Sequence, residues 1–513
     1  MNGAESLVRS LVASGVEACF ANPGTSEMHF VAALDRVPGL RCVLGLAETV
    51  VTGCADGYGR MAGKPAATLL HCGPGLANGI ANLHNARRAN APVVNIVGDH
   101  ATYHRPHDAP LTADTEGLAR AVSHWVRTSM LSSDVAADGA AAVRAARSAP
   151  GQVATLILPA DTAWNAGGAV VTAAPPPARA HAAPDTVRAI AAALSRGEAS
   201  MLVLSGEALT EAGLVAAQRV AQACGAQLRT PTQVARMARG RGRVPVDRIP
   251  YVVDMALKVF EGVKQLVLVA AKPPVGFFAY PDKPSTLWPK DCAVHVLARP
   301  EQDAVAALEA LADELGAPRK VAIPAPPALA GAARGAFEPL AFAHTFATLI
   351  PENAIVMEDA VTSGRALFAP TFGAAPNDWM QNTGGAIGVG LPAATGAAIA
   401  CPDRKVICLQ ADGAGMYTLQ SLWTQAREKL DVVTVVFANR IYRILQGELV
   451  SVGAQPGPTS EALFDIGHPD LDWVKLAAGM GVEAVQVATL EGFADAMRGA
   501  LKRRGPFLIA FRI

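Results

Sequence analysis

Asp412 and Asn439 stand 27 residues apart in the stretch KVICLQADGAGMYTLQSLWTQAREKLDVVTVVFANRIY. An apolar, β-rich run ends at Ala411-Asp412-Gly413, a helix is predicted over about Met416 to Glu428, and a second β-rich run ends at Asn439. That interval is the length of one strand–helix–strand crossover, which sets both residues side by side at neighbouring strand ends. A carboxylate and an amide oxygen placed together suit Mg2+, which takes an octahedron of oxygen ligands and commonly shares them with phosphates. The carbonyl of Ile441 offers a third protein ligand, leaving room for two diphosphate oxygens and a water. Gly413, Ala414 and Gly415 bring backbone N–H groups toward such phosphates at a helix N-terminus, where negative charge is favoured. Taken alone, ADG is also an ordinary turn after a strand; the paired spacing carries the metal-diphosphate reading.

The elements that position these residues repeat along the chain. Its 513 residues exceed one ordinary domain, and two Pro/Ala-rich stretches, Ala163 to Pro184 and Ala317 to Pro339, read as semi-rigid connectors. They give three expected domains, 1–165, 185–317 and 338–513. Each alternates short β-rich runs with helical stretches, as in AATLLHCG and PVVNIVGD, SMLVLSG and QLVLVAA, or AIVMEDA and DVVTVVFAN. Such alternation predicts an α/β fold of three doubly wound domains with mainly parallel sheets, which bind ligands beyond the carboxyl ends of their strands. Acidic and basic residues balance at 44 each, which excludes the basic field that nucleic acid or an anionic membrane needs. The eight scattered cysteines form no C-x-x-C pair, so a reducing compartment is expected. The N-terminal stretch lacks a signal-peptide pattern and no apolar run approaches a membrane span, so the expected location is cytoplasmic.

Four further places carry candidate chemistry. Glu48 follows a predicted strand, Arg41 to Leu46, and opens a helix ending near Gly63; as an isolated feature it complements the helix dipole. Thr25 in NPGTSE and His71 in HCGPG each follow a β-rich run. Both are suited to bind a carboxylate or relay protons, or else to stabilise turns. The loop GDHATYHRPHDAPLTAD holds His100, His104 and His107, without the carboxylate or cysteine spacing that completes a metal site. Finally, NTGGAIGVGLPAATGAAIA is Gly-rich but is no dinucleotide fingerprint, because Ala393 stands where the last Gly would fall.

Together these segments resemble the thiamine-diphosphate-dependent 2-oxo acid decarboxylase and acetolactate synthase superfamily, in its benzoylformate-decarboxylase-like form, over nearly the full length. ADG…AN is similar to the GDG…NN motif, with Ala411 and Ala438 replacing residues that supply no metal ligand. ETVVTGCADGYGRMAG is similar to the E-x-x-x-x-x-x-A-D-G-Y-A-R-x-x-G signature, matching at Glu48, Ala55, Asp56, Gly57, Tyr58, Arg60 and Gly63. The resemblance names the three domains pyrimidine, middle and diphosphate. It implies that thiamine diphosphate and Mg2+ are the cofactors and that Glu48 bonds N1′ of the aminopyrimidine, its pKa raised by an apolar slot. It also implies that the Gly385 carbonyl accepts from the 4′-amino group and that Ile387 bends the cofactor. The same resemblance makes Thr25 and His71 substrate-side groups and turns His104 or His107 toward the active-site mouth. It also implies a homodimer or homotetramer, with Glu48 and the metal ligands contributed by different subunits. Departures are equally specific. Acetolactate synthases carry an R-F-D-D-R run for FAD in the middle domain; here AAKPPVGFFAYPDKPS speaks against FAD. Leu111 stands at their substrate-loop Gln, Leu445 at the Glu of pyruvate decarboxylases, and no His falls near Phe278 to Tyr280. The expected reaction is decarboxylation of a small 2-oxo acid, with the resulting enamine passed to a second carbonyl. Release of an aldehyde, a catalytically silent cofactor-binding paralogue and a nucleotide- or CoA-binding transferase stand as alternatives.

Overall fold

Eighteen strands arrange themselves in three sheets in the computed structural model, which describes residues 1–326 and 328–513. The first sheet comprises β1 (Ala18–Asn22), β2 (Arg41–Leu44), β3 (Ala66–Leu70), β4 (Val93–Asp99), β5 (Trp125–Thr128) and β6 (Val153–Pro159), in the order β2-β1-β3-β4-β6-β5. The middle of the chain adds β7 (Ser200–Leu204), β8 (Gln227–Thr230), β9 (Met237–Arg239), β10 (Asp247–Arg248), β11 (Gln265–Val269) and β12 (Ala293–Ala298). Five of these form the second sheet, β10-β8-β7-β11-β12. The third sheet takes β13 (Ala354–Asp359), β14 (Asn377–Gln381), β15 (Val406–Ala411), β16 (Val432–Ala438), β17 (Glu483–Val487) and β18 (Phe507–Arg512), in the order β17-β18-β16-β15-β13-β14-β9. Every named pairing is parallel except β14 with β9. The α/β reading with mainly parallel sheets is therefore correct. The central strands β3, β4, β6, β7 and β11 are buried throughout, as continuous apolar runs in a doubly covered sheet must be.

Three details depart from the sequence expectation. Strand β2 stops at Leu44 rather than Leu46. The helix expected over Met416 to Glu428 is two pieces, a helical turn Asp412–Gly415 and a helix Ser421–Arg427. Between the two pieces Thr418 Oγ1 donates to the Gly388 carbonyl at 2.7 Å. Third, β9 lies in the middle stretch yet pairs with the edge strand β14 of the third sheet. Arg239 fixes it there, its guanidinium carbon 4.0 Å from the Phe368 ring centroid and 4.1 Å from that of Phe372. Burial draws this guanidinium down to about 9. Pro327, inside the second expected connector, lies outside the described residues.

The first and third sheets share one core, built where helices Glu48–Ala62 and Gly390–Ala400 cross. Glycines make the approach possible. A Cβ on Gly396 would lie 1.9 Å from the Cys54 carbonyl oxygen, and one on Gly57 2.0 Å from that of Ala393. Alongside, Arg60 Nε bonds Asp56 Oδ1 at 2.7 Å and its Nη1 reaches the Gln381 carbonyl at 2.6 Å, with both charged side chains buried. Removing either partner would strand a charge in the core. Gly396→Ala should cost about 1–3 kcal/mol by overpacking and lower the calorimetric Tm; an unchanged Tm would show that the helices have room to spare.

Candidate active site

Asp412 and the turn at Asn439 meet as their spacing requires. Asp412 is buried at the end of β15, and its carboxylate accepts from Gly413 N at 2.8 Å and from Arg440 N at 2.6 Å. Burial pushes the carboxyl above its usual range, and these backbone donors only partly offset that. No basic side chain forms an ion pair with it among the described residues. Asn439 Oδ1 accepts from Ile441 N at 3.0 Å, and the Ile441 carbonyl from Arg443 N at 2.9 Å. Each of these oxygens keeps a second lone pair. A buried carboxylate and two half-buried neutral oxygens at one turn match the hard-oxygen chemistry of Mg2+. Gly413 packs under the Tyr442 ring, where a Cβ would come within 2.4 Å of a ring carbon. Ala414 is buried in the same turn.

The segment 382–390 is shaped by a residue that sequence reasoning missed. Asp359, buried at the end of β13, accepts from Gly388 N at 2.9 Å, Gly390 N at 3.2 Å and Gln410 Nε2 at 3.1 Å. Burial raises its pKa while these donors act against the rise. Asn382 Oδ1 then accepts from Gly385 N at 2.9 Å, and Asn85 of the first domain donates to the Ala386 carbonyl at 2.8 Å. Gly385 and Gly388 take positive φ, +81° and +93°, which explains two glycines around Ile387. The signal was available: Asp359 ends a buried parallel strand, as Asp412 does.

In the first domain Glu48 opens its helix half-buried, and Asn78 Nδ2 donates to its Oε2 at 3.2 Å. None of its hydrogen bonds reaches Gly385, Ile387, Asp412 or Asn439 among the described residues. Thr25, His71, His104 and Leu111 line one cavity of about 300 Å³. His107 lies behind His104, with ring centroids 5.9 Å apart, and does not line it. Glu27, also missed, is buried beneath: its carboxylate accepts from Gly24 N at 2.7 Å and from His71 Nδ1 at 3.0 Å. Such a partner fixes the imidazole so that Nε2 is the free nitrogen. Ser26 bridges Glu27, His71 Nδ1 at 3.2 Å and Cys72 Sγ at 3.1 Å. Burial pushes the Cys72 thiol up to about 11, so it is a neutral packing group rather than a nucleophile. The only hint of Glu27 in the sequence was its position three residues after Gly24, a capping spacing.

Parallel sheets with a buried acid and a half-buried amide at adjacent strand ends suit a phosphate-bearing cofactor, and comparison with known families agrees. Residues 1–118 match the thiamine pyrophosphate enzyme N-terminal TPP-binding domain, and residues 366–511 match its C-terminal TPP-binding domain. The chain belongs to the thiamine-pyrophosphate-dependent enzymes, in the group of acetolactate synthases and benzoylformate decarboxylases. It is 52% identical to a Mycobacterium tuberculosis protein named, provisionally, as the acetolactate synthase large subunit IlvX, over 99% of this chain and 98% of that one. It is 29% identical to benzoylformate decarboxylase of Pseudomonas aeruginosa, over 96% of each chain. Among solved structures, the Rhodococcus jostii RHA1 thiamine diphosphate-dependent 4-hydroxybenzoylformate decarboxylase shares the fold at a TM-score of 0.85 and 23% identity, covering 100% of this chain and 99% of that one. No helix in the described residues is long and apolar enough to cross a membrane.

Asp359→Ala should free the backbone N–H groups of Gly388 and Gly390, at about 1–3 kcal/mol for each buried donor left unpaired. Hydrogen exchange across 382–390 should rise and thiamine diphosphate affinity should fall; unaltered protection would remove Asp359 from this role.

Proposed function

We propose that the protein decarboxylates a small 2-oxo acid on thiamine diphosphate and Mg2+ and transfers the decarboxylated acyl unit to a second carbonyl, in the manner of an acetolactate synthase. When bound, the cofactor supplies the electron sink for loss of CO2. Asp412, Asn439 and the Ile441 carbonyl would hold Mg2+, with the N–H groups of Gly413 and Ala414 toward the diphosphate. The Gly385 carbonyl and Ile387 would hold the aminopyrimidine, and Glu48 would exchange a proton with it. One observation carries the reading: a cation-lacking carboxylate, Asp412, is buried against the Asn439 turn in a chain that also keeps Glu48.

The hydrogen bonds of Glu48 stay within its own domain, which supports an active site completed between two copies of the chain. A homodimer or homotetramer follows from that. A cytoplasmic, reducing setting fits eight unpaired cysteines. Ligation is favoured by the 52% identity to an acetolactate synthase-named protein and by the apolar ring of Phe277 beside Gly385, which offers no proton. The second reading, protonation to release an aldehyde, is favoured by one feature: the Glu27-held His71, whose Nε2 is free beside Thr25. A silent paralogue that only held the cofactor would use Asp412 and Asn439 but not the proton exchange of Glu48. FAD has no place in this reading.

The protein with thiamine diphosphate, Mg2+ and a panel of 2-oxo acids should release CO2, and NMR should show an acyloin or a 2-hydroxy-3-oxo acid of the acetolactate type. An aldehyde would select the second reading, and no CO2 with bound cofactor would defeat both. Glu48→Gln should cut turnover by about 10²- to 10⁴-fold while cofactor affinity holds. Asp412→Ala should lose Mg2+ and cofactor together, measured by calorimetric titration; tight binding by that variant would refute the metal site.

A further inference from the structure

Helix Arg443–Ser451 follows the metal turn directly and has no fully buried residue, so apolar packing holds it only weakly. What holds it is polar and comes from the middle domain. Glu448, on this helix, accepts from Tyr251 Oη at 2.9 Å and from Tyr280 Oη at 2.8 Å. The carboxylate forms no ion pair among the described residues, so two phenols from separate loops are its partners. Burial, followed by its contact with Tyr280 and then the Glu448 carboxylate, raises Tyr251, and burial followed by that carboxylate raises Tyr280, so both remain donors throughout the physiological range. The Arg365 guanidinium lies 5.4 Å from the Tyr251 ring centroid and closes the group on its outer side.

The same two tyrosines carry an aromatic loop. Tyr251 packs on Phe277 with ring centroids 5.4 Å apart, and Phe277 on Phe278 at 5.0 Å. Phe277 points its ring tip at Gly385, where a Cβ would stand 2.8 Å from Cζ. Phe277 and Phe278 are nonetheless 43% and 56% exposed, an apolar surface of adjacent rings. Leu445 is 41% exposed one turn before Glu448 on the same helix face, and adds to the apolar surface.

We propose that Tyr251 and Tyr280, gripping Glu448, form a clamp that positions Phe277 and Phe278 as the side-chain wall of the acyl-donor pocket beside Gly385. The wall selects 2-oxo acids with apolar side chains, and the clamp couples its position to the helix that follows the metal turn. This rests on the reading of Gly385 as a cofactor-bordering residue. Tyr251, Tyr280 and Glu448 are positioning residues; Phe277 and Phe278 make the contact with substrate.

The test compares the full-length wild type with Tyr251→Phe/Tyr280→Phe, Glu448→Gln and Phe277→Ala, all loaded with thiamine diphosphate and Mg2+. Across 2-oxo acids from pyruvate to benzoylformate, breaking the clamp should change KM for the larger donors by about tenfold, the scale of one lost buried hydrogen bond. It should alter kcat much less, with cofactor affinity from tryptophan fluorescence unchanged. Phe277→Ala should shift side-chain preference in the same sense, and single Tyr→Phe variants should fall between. Hydrogen exchange should rise together in 274–285 and 443–452 but not in 48–62. A uniform loss of kcat with cofactor release would mean mere structural damage and overturn the proposal, as would unchanged preference. If the wild type turns over no 2-oxo acid, the proposed function fails on its own. The clamp is then judged by exchange, where coupled loosening supports it and independent behaviour of the two segments rejects it.

Discussion

A carboxylate buried at the carboxyl end of a parallel strand must find N–H donors or a cation, because desolvation otherwise penalises its charge. This chain uses that constraint twice on adjacent strands. Asp359 spends its acceptor capacity on Gly388, Gly390 and Gln410, and so dictates the path of the segment expected to face the cofactor. Among the described residues Asp412 accepts from two backbone N–H groups, that of Gly413 and that of Arg440, the second of which brings the turn after β16 against it. The first acid organises a loop; the second keeps unmet demand for positive charge. Much of the third domain is arranged around these two demands, including the broken helix after Asp412, whose Thr418 holds the Gly388 carbonyl.

Rigid placement of these groups against the first domain comes from close backbone contact. Gly57 and Gly396 let the two helices touch without intervening side chains, and the buried Asp56–Arg60 pair locks to the Gln381 carbonyl. A charged pair in such a place adds little net stability but penalises any other packing. It therefore specifies how the domains sit, and Asn85 extends the same attachment to Ala386.

The middle domain enters the site from outside the hydrophobic framework. Strand β9 crosses into the third sheet, held by Arg239 among aromatic rings, while the loop with Phe277 reaches Gly385 and its tyrosines grip Glu448. Hydrogen bonds to a carboxylate are directional, whereas the helix they hold has no fully buried residue. Such an arrangement fixes position while leaving the aromatic surface open to an apolar ligand.

What the sequence by itself determined is local: the apolar runs that must be parallel strands, the crossover spacing that pairs Asp412 with Asn439, and Glu48 at the start of a glycine-bearing helix. These were legible because periodicity, strand length and turn chemistry act within a few tens of residues. The family resemblance made Thr25 and His71 substrate-side groups and turned His104 or His107 toward the active-site mouth; the structure lines one cavity with Thr25, His71 and His104 and sets His107 behind His104. Glu27 and Asp359 were passed over because their importance lies in what they touch, an imidazole 44 residues away and two glycine amides about 30 residues away. The interrupted helix at Met416, the transfer of β9 to another sheet and the Tyr251–Glu448–Tyr280 contact were decided only by tertiary structure. Each depends on partners from distant segments, brought together by burial and satisfied by hydrogen-bond geometry that no local pattern encodes.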